Sequence, residues 1–443
     1  MKEILVLGAG MVSKPLVRYI LEQTDYFVKI ATRTISKAEK IIDSHPHGEA
    51  HELDVHDNIK LEKLIAKSDI VVSLLPYTYH VRVAHHCLKH RKHMITTSYV
   101  NKEMQELDKK AKNMKILILN ECGLDPGIDH MSAMRIIHKI KDNNGKIKGF
   151  SSYCGALPSL EANNNPMGYK FSWSPRGVLL ASKNSARYLK NGKEIKIPGE
   201  KLFEHYTIKK IDGIGHFENY PNRDSIPYIQ KYGIPETQTM YRGTLRHIGW
   251  CETMKKIADL GYLDETKIDD LEKLVSYRDL TRKLIKNSKN NDLKKDLARY
   301  LNIETYSAVM KKIEWLGLLS NKKLPENQHS PLDILNTLAI EKLRFENGER
   351  DMVILHHEFT AEYPSKKEHI TSTMIEYGIP YGDTAVARTV GLPAAIATKM
   401  ILEEKIETPG VHIPITREIY NPILDELEHI GIVFNEKTEA ESS

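Results

Sequence analysis

The first twenty residues read MKEILVLGAGMVSKPLVRYI and contain a short apolar strand, a glycine-rich turn and the start of a helix. Gly8 permits a tight turn directly after the strand. Gly10 lets backbone N–H groups approach a pyrophosphate at the positive end of the helix. Ser13 stands where this dinucleotide-binding motif usually has its third glycine, so the surrounding strands must support the prediction.

A parallel sheet is predicted for the first 125 residues, in which short apolar runs alternate with helical patterns. The predicted strands cover residues 4–7, 27–30, 50–55, 70–75, 94–97 and 116–119. Six such strands match a doubly wound, Rossmann-like dinucleotide-binding domain at residues 1–125. The fold class is therefore α/β.

From about residue 148 onward, the sequence changes from short apolar runs alternating with helical patterns to loops and longer strand patterns. Residues 126–247 and 351–443 are expected to form a mixed-sheet domain, whose C-terminal part could pack back on the Rossmann-like domain. Residues 248–350 are expected to form a helical domain. The predicted helices are 252–261, 267–275, 277–287, 306–318 and 384–404, the predicted later strands are 352–362 and 368–377, and the tail after residue 435 is expected to be frayed.

Composition narrows the class of protein. The chain has 443 residues, of which 41% are hydrophobic and 28% charged, and a net charge of +5, which is typical of a globular protein of two or three domains. It has no run of eighteen apolar residues and no basic stripe, so neither a membrane span nor nucleic-acid binding is expected. Four widely spaced cysteines, and an N-terminus that is already a strand, favour a cytoplasmic location. The paired histidines at positions 85–86 and 356–357 lack further ligands nearby, so no metal is expected.

The end of the second strand predicts the cofactor. It reads Thr32-Arg33-Thr34, without the acidic residue that usually binds the ribose 2′-OH of NAD. A guanidinium flanked by hydroxyls suits a 2′-phosphate, which favours NADP(H) over NAD(H). The alternative is that Arg33 is a solvated loop residue. The residues expected to line the same crevice, at the carboxyl ends of the following strands, are Asp54, Val55, Leu75, Thr97 and Ser98.

Asp125 is expected to point into this crevice. It follows the sixth predicted strand, and Pro126 restricts it to an extended geometry. Its alternative role is a helix N-cap, for which Asp129 is the better candidate.

Three arginines in turn-rich segments are candidates for binding carboxylates, because forked guanidinium donors match carboxylates in a bidentate manner. Arg223 and Arg246 are the favoured candidates, whereas Arg242 could pair structurally. A lone arginine is usually a surface residue, so the prediction depends on the sequence context of these residues.

A stretch rich in glycine, proline, asparagine and aromatic residues covers residues 153–180 and reads YCGALPSLEANNNPMGYKFSWSPRGVLL. Such loops on a rigid scaffold commonly carry function. Together with residues 74–78, 97–99, 123–130, 242–246, 349–353 and 394–399, this stretch resembles the glutamate-forming saccharopine dehydrogenases, also called saccharopine reductases. The resemblance covers essentially the whole chain. Ala156, where the family more often has a second glycine, is a modest departure.

The resemblance implies an enzyme of lysine metabolism, with lysine synthesis and lysine breakdown both open. Such an enzyme joins L-glutamate to L-2-aminoadipate 6-semialdehyde and reduces the imine with NADPH to L-saccharopine, or catalyses the reverse oxidation. A homodimer with small-molecule amino-acid substrates is implied, in which the mixed-sheet domain of residues 126–247 and 351–443 serves substrate binding and dimerisation. The expected cofactor contacts, from motif and resemblance together, are Gly8, Ala9, Gly10, Met11, Val12, Thr32, Arg33, Thr34, Asp54, Val55, Leu75, Thr97, Ser98, Leu124, Asp125, Pro126 and Ser174. The implied substrate contacts are Ser98, Tyr99, Asp125, Arg223, Thr244, Leu245 and Arg246. The candidates for proton transfer are Asp125, Tyr99 and Cys154.

Two alternative functions share part of this description. A carboxynorspermidine-type reductase of the same superfamily would reduce an imine of a diamine, and the retained run at residues 163–176 argues against it. A non-catalytic NADP-binding regulator would bind NADPH and turn over no imine. The presence of Asp125, Arg223 and Arg246 argues against that class.

Overall fold

The computed structural model describes residues 1–268, 271–285 and 292–440. The chain divides into two units. Unit 1 contains Met1–Ile147, Lys231–Ile234 and the chain from Thr360 onward, and unit 2 contains Lys148–Gln230 and Pro235–Phe359. The segment expected to form a helical domain is part of unit 2, and the division into three domains stays a prediction.

The described chain contains these regular elements in sequence order. The strands are β1 Glu3–Leu7, β2 Phe27–Thr32, β3 Gly48–Glu52, β4 Ile70–Ser73, β5 His93–Thr96, β6 Leu117–Leu119, β7 Lys146–Pro158, β8 Ala186–Lys190, β9 Lys193–Ile197, β10 Thr207–Ile211, β11 Gly215–Pro221, β12 Thr239–Arg246, β13 Asp351–Glu362, β14 Lys367–Tyr377, β15 Gly410–His412 and β16 Asn435–Ala440. The helices are α1 Ser13–Gln23, α2 Ile35–Ile42, α3 Asn58–Lys67, α4 His80–Lys89, α5 Lys102–Gln105, α6 Asp108–Asn113, α7 Ile128–Asp142, α8 Pro175–Ala181, α9 Pro227–Lys231, α10 Trp250–Asp259, α11 Tyr277–Ile285, α12 Leu293–Leu301, α13 Ala308–Leu316, α14 Pro331–Lys342, α15 Ala385–Leu402 and α16 Arg417–His429.

Unit 1 is built on a seven-stranded parallel sheet with the order β15-β6-β5-β4-β1-β2-β3. All of β4 and most of β1 are fully buried, as expected for strands covered by helices on both faces. The strand order reverses between β1 and β4, so the ligand crevice of this doubly wound fold lies at their carboxyl ends. The predicted α/β class and Rossmann-like sheet are confirmed. β15 lies outside the prediction because three residues are too few to show a pattern.

Strand β3 differs from its prediction at both ends. It covers Gly48–Glu52 and not residues 50–55, so Asp54 and Val55 follow the strand. The strand stops because Asp54 begins a turn. Its carboxylate accepts a hydrogen bond from the His56 N–H at 2.9 Å, and its carbonyl oxygen accepts one from the Asp57 N–H at 2.9 Å. Local bonds of this kind are typical of Asx turns, which end extended structure.

The chain after residue 435 forms a strand where a frayed tail is expected. β16 pairs antiparallel with β14, from Thr373 opposite Asn435 to Glu368 opposite Ala440. The edge of β14 offers backbone hydrogen-bonding groups that a strand of almost any side-chain composition can use. The frayed-tail prediction is therefore wrong up to Ala440, and residues 441–443 lie outside the described part of the chain.

Helix α15 is the closely packed helix that its small residues predict. It packs on α1 and α16 within unit 1. A Cβ at Gly391 would lie 2.8 Å from the Val12 carbonyl oxygen, so glycine allows α15 to approach the loop that leads into α1. Among the described helices, α15 alone is long and apolar enough to cross a membrane. However, 78% of that stretch is buried inside the protein, as in the core helix of a folded domain.

Unit 2 contains a mixed sheet with the order β10-β11-β12-β7-β13. β12 pairs antiparallel with β11 and parallel with β7, and a hairpin of β8 and β9 attaches to β12. Helices α10 to α14 follow β12 along the chain. A mixed sheet and a run of helices in this part of the chain agree with the sequence-based expectation.

One helix predicted in unit 2 is wrong. Within residues 267–275 the described chain forms only a single 3₁₀ turn at Leu271–Lys273. On either side the backbone bonds to distant segments, since the Ile268 N–H donates to the His329 carbonyl oxygen and the Leu324 N–H donates to that of Val275. Residues 269–270 lie outside the described residues. So do residues 286–287 of the helix predicted at 277–287, which is confirmed as far as Ile285.

Candidate active site

The glycine turn after β1 has the geometry that a dinucleotide site requires. Gly8 has a φ of +109°, and a Cβ there would lie 3.2 Å from the Leu74 carbonyl oxygen, so the turn strongly favours glycine. The Ser13 hydroxyl accepts a hydrogen bond from the Gly10 N–H at 2.9 Å and donates one to the Gly8 carbonyl oxygen at 3.2 Å. Ser13 therefore closes the loop. The Gly10 N–H is expected to approach the pyrophosphate. In the structure it donates to the Ser13 hydroxyl within the loop, because this hydroxyl lies beside it.

The amino end of α1 is open to an anion. Its N-cap residue, Val12, makes no side-chain hydrogen bond, and its first turn has no acidic residue. Ala9 is half-buried, and Gly10 and Met11 are exposed in the loop. Unpaired backbone N–H groups and the helix dipole attract phosphate oxygens. The residues present therefore fit the pyrophosphate of a dinucleotide.

The end of β2 fits a 2′-phosphate. Arg33 and Thr34 directly follow the strand and are exposed. Throughout the described part of the chain, no carboxylate forms an ion pair with Arg33. The first turn of α2 has no acidic residue and includes Lys37. Two cations and no carboxylate at the start of a helix favour a phosphate group over a ribose hydroxyl.

The residues predicted after β3 and β4 differ in exposure. Asp54 is exposed, whereas Val55 is buried in the core cluster of unit 1, and Leu75 packs against that cluster. The Val55 carbonyl oxygen accepts a hydrogen bond from Arg82 Nη1 at 3.2 Å. Leu75 can therefore offer a ligand part of an apolar side chain, and Asp54 can offer a carboxylate. Val55 has its side chain in the core and its carbonyl oxygen bonded to Arg82, so its predicted ligand contact stays a prediction.

A buried histidine joins three hydroxyl groups at the carboxyl ends of β4 and β5. His80 Nδ1 lies 2.9 Å from Ser73 Oγ, and its Nε2 lies 2.9 Å from both Thr96 Oγ1 and Ser98 Oγ. Burial lowers the pKa of His80 to about 4, so the imidazole is neutral near pH 7. Thr97 and Ser98 follow β5 as predicted and are half-buried. Sequence reasoning misses His80, because a single histidine at a helix start has no recognisable pattern.

Asp125 is presented by a tight loop after β6. Gly127 has a φ of +150°, and a Cβ there would lie 2.0 Å from the Gly123 carbonyl oxygen, so no other residue fits this loop. The Gly123 N–H donates to the Pro126 carbonyl oxygen at 3.0 Å. The Tyr99 hydroxyl donates to Asp125 Oδ1 at 2.8 Å. Two of the residues predicted for proton transfer are therefore in direct contact.

The neighbours of Asp125 hold the loop in place. Leu124 and Pro126 are buried on either side of it, and Asp125 itself is half-buried. Asp129 lies in the first turn of α7, where its carboxylate accepts a hydrogen bond from the Gly127 N–H at 2.6 Å. Asp129 therefore stabilises the start of this helix, as the sequence favoured, although it lies inside the helix and not at the N-cap.

A second buried network lies behind this loop. His130 Nε2 is 2.7 Å from Glu121 Oε2, and His130 Nδ1 is 2.6 Å from the Tyr232 hydroxyl. Burial alone would raise the pKa of Glu121, but the hydrogen bond and charge of His130 outweigh it and lower the pKa to about 2. Glu121 also accepts a hydrogen bond from the Val100 N–H at 3.1 Å and donates its own N–H to the Ser98 carbonyl oxygen at 3.1 Å. These bonds hold the residues on both sides of Tyr99.

In unit 2, Arg246 forms the clearest candidate anion site. Its side chain is only 4% exposed, and its guanidinium lies 5.0 Å from the Tyr169 ring centre, 5.7 Å from that of Trp250 and 5.9 Å from that of Tyr220. Nη1 donates to the Leu245 carbonyl oxygen at 2.8 Å, and the buried Nε has no hydrogen-bond partner among the residues that the structure describes. Buried guanidinium groups normally have partners. An Arg246 with an unsatisfied donor therefore fits a ligand carboxylate.

The carboxylate nearest to Arg246 in strand register is already engaged. Glu218 on β11 lies opposite Arg246. Its two carboxylate oxygens accept hydrogen bonds from the Gly249 and Cys251 N–H groups, each at 2.7 Å. Glu218 thus binds the start of α10. Within the described residues, Arg246 forms no ion pair with any carboxylate.

Thr244 and Cys154 lie beside this arginine on the sheet. Thr244 is in register with Cys154 on β7 and with Tyr220 on β11. Side chains alternate between the two faces of a strand, so Thr244 and Arg246 share a face and Leu245 points to the other. The Leu245 side chain is fully buried. A substrate contact of Leu245 can therefore involve only its backbone, a restriction that the motif alone does not reveal.

The remaining predicted residues of unit 2 have different surroundings. Arg223 is exposed and has a φ of +53°, a left-handed conformation uncommon for arginine. Ser174 is the N-cap of α8, and its hydroxyl accepts a hydrogen bond from the Gly177 N–H at 3.2 Å. Arg242 is buried, with its guanidinium 4.8 Å from the Tyr228 ring centre, which agrees with a structural role. Ligand contacts of Arg223 and Ser174 stay predictions.

The fold and these two groups of residues define an NADP-dependent oxidoreductase with a carboxylate-bearing substrate. Two family models match the chain: the saccharopine dehydrogenase NADP-binding domain at residues 4–119 and the saccharopine dehydrogenase C-terminal domain at residues 123–432. The chain belongs to the saccharopine dehydrogenase family.

Relatives support this assignment over the full length. The saccharopine dehydrogenase [NADP(+), L-glutamate-forming] of Schizosaccharomyces pombe is 41% identical over 99% of both chains. The solved structure of apo histidine-tagged saccharopine dehydrogenase (L-Glu forming) from Saccharomyces cerevisiae has a TM-score of 0.90 and 37% identity, and it covers 99% of this chain and 100% of its own. The mitochondrial alpha-aminoadipic semialdehyde synthase of Bos taurus is 35% identical over 98% of this chain but only 47% of its own length.

Proposed function

We infer that this protein is an NADP-dependent, glutamate-forming saccharopine dehydrogenase. It reduces the imine of L-glutamate and L-2-aminoadipate 6-semialdehyde to L-saccharopine, or catalyses the reverse oxidation. The observation that best supports the substrate class is the buried Arg246 with an unsatisfied Nε, since saccharopine carries three carboxylates.

We propose that unit 1 binds the cofactor and performs proton transfer. NADPH, when bound, supplies the hydride. The glycine turn and the start of α1 hold the pyrophosphate, and Arg33 holds the 2′-phosphate. Asp125 accepts a proton from the amino group of the substrate, and the Tyr99 hydroxyl, 2.8 Å from Asp125 Oδ1, stabilises the charged carboxylate.

We propose that unit 2 orients the amino-acid substrate. Arg246 binds one carboxylate with Nε and a second guanidinium N–H, and the Thr244 hydroxyl lies on the same face of β12 to accept or donate a further hydrogen bond. Arg223 is the second candidate for a carboxylate, and its exposure suits a group that exchanges with solvent. Cys154, in register with Thr244, is the third candidate for proton transfer.

Steady-state kinetics with purified protein tests this function. The protein should oxidise saccharopine with NADP⁺ and should consume NADPH when glutamate and 2-aminoadipate 6-semialdehyde are supplied together. An imine formed from a diamine is the control substrate. Turnover of the diamine imine without turnover of saccharopine would instead identify a carboxynorspermidine-type reductase. Binding of NADPH without turnover of either would identify a non-catalytic binding protein.

We also propose a cytoplasmic homodimer that binds neither nucleic acid nor membranes. All four cysteines are free thiols, and three of them are buried, which suits a reducing compartment. The charge is modest for the length, at +5 for 443 residues, which gives little drive for binding nucleic acid. Light scattering after size-exclusion chromatography tests the dimer, and fractionation of cells that express the protein tests the location. A monomeric mass or a membrane-bound pool would contradict these proposals.

A further inference from the structure

His80 is a buried, hydrogen-bonded side chain at the carboxyl ends of β4 and β5 to which the proposed reaction assigns no role. It is the first residue of α4, follows a 3₁₀ turn at Tyr77–Tyr79, and is only 4% exposed. Its two ring nitrogens contact a hydroxyl from the end of β4 and two hydroxyls from the end of β5, all at 2.9 Å. Strand ends of this kind carry the ligand contacts of a doubly wound fold.

The imidazole can direct these hydroxyls because it is neutral. No carboxylate among the described residues forms an ion pair with it, and burial lowers its pKa to about 4. A neutral imidazole has one N–H donor and one acceptor nitrogen, so the role of Nδ1 toward Ser73 fixes the role of Nε2 toward Ser98. A doubly protonated ring could only donate. The direction of the Ser98 hydroxyl therefore depends on the histidine.

Thr96 strengthens this control over Ser98. Its Oγ1 lies 2.9 Å from His80 Nε2 and also accepts a hydrogen bond from the Ser98 N–H at 3.3 Å. The backbone and the side chain of Ser98 are thus bonded to the same pair of residues. Burying an imidazole costs free energy unless its ring nitrogens are hydrogen-bonded, whereas apolar residues of similar volume need no partners. Its presence points to a requirement for orientation.

We propose that His80 is a positioning residue: it holds the Ser98 hydroxyl in one orientation toward the cofactor and substrate. This inference rests on the proposed function, in which Ser98 contacts both ligands. His80 itself makes no contact with the reacting atoms in this proposal. Its effect on turnover should therefore pass entirely through Ser98.

Two substitutions of His80 separate positioning from general destabilisation. The amide of glutamine reaches about as far as Nε2, so His80→Gln keeps a partner for Ser98 and Thr96. The amide of asparagine reaches about as far as Nδ1, so His80→Asn keeps a partner for Ser73 only. Loss of the hydrogen bond that orients the Ser98 hydroxyl toward its ligands should lower kcat/KM for saccharopine about tenfold in His80→Asn. His80→Gln should stay within about threefold of the wild type.

A double-mutant cycle with Ser98→Ala tests whether the effect passes through Ser98. In the Ser98→Ala background, His80→Asn should change kcat/KM by no more than about twofold, because the hydroxyl that it orients is gone. His93→Gln is the matched control. Burial lowers the pKa of His93 as it does that of His80, but His93 is only half-buried and lies at the amino end of β5, where its Nδ1 accepts from the Leu117 N–H at 3.0 Å. It should leave kcat/KM within about twofold.

The outcomes distinguish this inference from the proposed function. An inactive wild type would refute the proposed function. If the wild type is active and His80→Asn lowers kcat/KM by the same factor with Ser98 and with Ser98→Ala, the positioning role is refuted. It is also refuted if His80→Asn and His80→Gln lower kcat/KM equally and in proportion to their loss of melting temperature. If His80→Asn does not fold, Ser73→Ala replaces it in the cycle. A reduction of kcat/KM by about threefold in Ser73→Ala that disappears in the Ser98→Ala background would support the proposal. A reduction that is the same in both backgrounds would overturn it.

Discussion

Replacing Arg246 with lysine should raise the KM for saccharopine while leaving NADPH affinity nearly unchanged. Lysine keeps the positive charge but loses the planar fork, so one of two parallel hydrogen bonds to a carboxylate is lost. Arg246 is 4% exposed and its guanidinium lies beside the rings of Tyr169, Trp250 and Tyr220, so water cannot readily replace the missing bond.

The expected magnitude follows from this burial. A hydrogen bond to a charged group contributes about 1.5–3 kcal/mol, which corresponds to a rise in KM of about 10- to 100-fold. NADPH affinity, measured by fluorescence titration, should change by less than about twofold, because Arg246 lies in unit 2 and the dinucleotide motif lies in unit 1. Initial rates at saturating NADP⁺ give the KM for saccharopine.

The matched control for this experiment is Arg242→Lys. Arg242 lies on the same strand and is 3% exposed, and it stacks on Tyr228 in a structural contact. Arg242→Lys should lower the melting temperature with little change in KM. If Arg246→Lys weakens NADPH and leaves the amino-acid KM unchanged, Arg246 has been assigned to the wrong ligand. If the two variants behave alike, Arg246 supports the fold and does not bind a carboxylate.

Three other predictions concern unit 1. Arg33→Ala should weaken NADPH binding about tenfold or more and leave NADH nearly unchanged, since Arg33 has no other ionic partner among the described residues; equal losses for both cofactors in fluorescence titrations would make Arg33 structural. Asp125→Asn should lower kcat/KM for imine reduction about 10²-fold, because the amide cannot accept the proton; unchanged kinetics would restrict Asp125 to positioning. The pKa of Glu121 lies at about 2 against an ordinary 4.5, so its pairing with His130 stabilises the fold above pH 4.5 and this contribution, about 3 kcal/mol, is lost as the pH falls toward 2. Urea unfolding between pH 6 and 3 measures it, and Glu121→Gln should flatten that pH dependence; an unchanged slope would show that the pair does not stabilise the fold.

Local sequence patterns predicted the elements that we propose hold the cofactor. The turn at Gly8, the open start of α1 and the cation after β2 all depend on residues within a few positions of one another. The structure adds the reason for the irregular third position, since Ser13 closes the loop with two hydrogen bonds. Strand limits were less predictable. Asp54 ends β3 early through a turn that competes with the sheet.

The sequence by itself determined the α/β class, the family and the cofactor, and it named Asp125 and Tyr99 as candidates for proton transfer. The contact between these two side chains is seen only in the structure. Periodicity and glycine requirements act between near neighbours in the chain, so they can be read without a fold. Only the tertiary structure decided which polar groups meet across long separations. His80 lies in the connection between β4 and β5 and contacts Ser98, which follows β5. Glu121 and His130 hold the residues on both sides of Tyr99. Arg246 lies among aromatic rings from three other segments. The physical reason is that burial and the absence of a counter-charge are properties of the packed chain, and no single segment carries them.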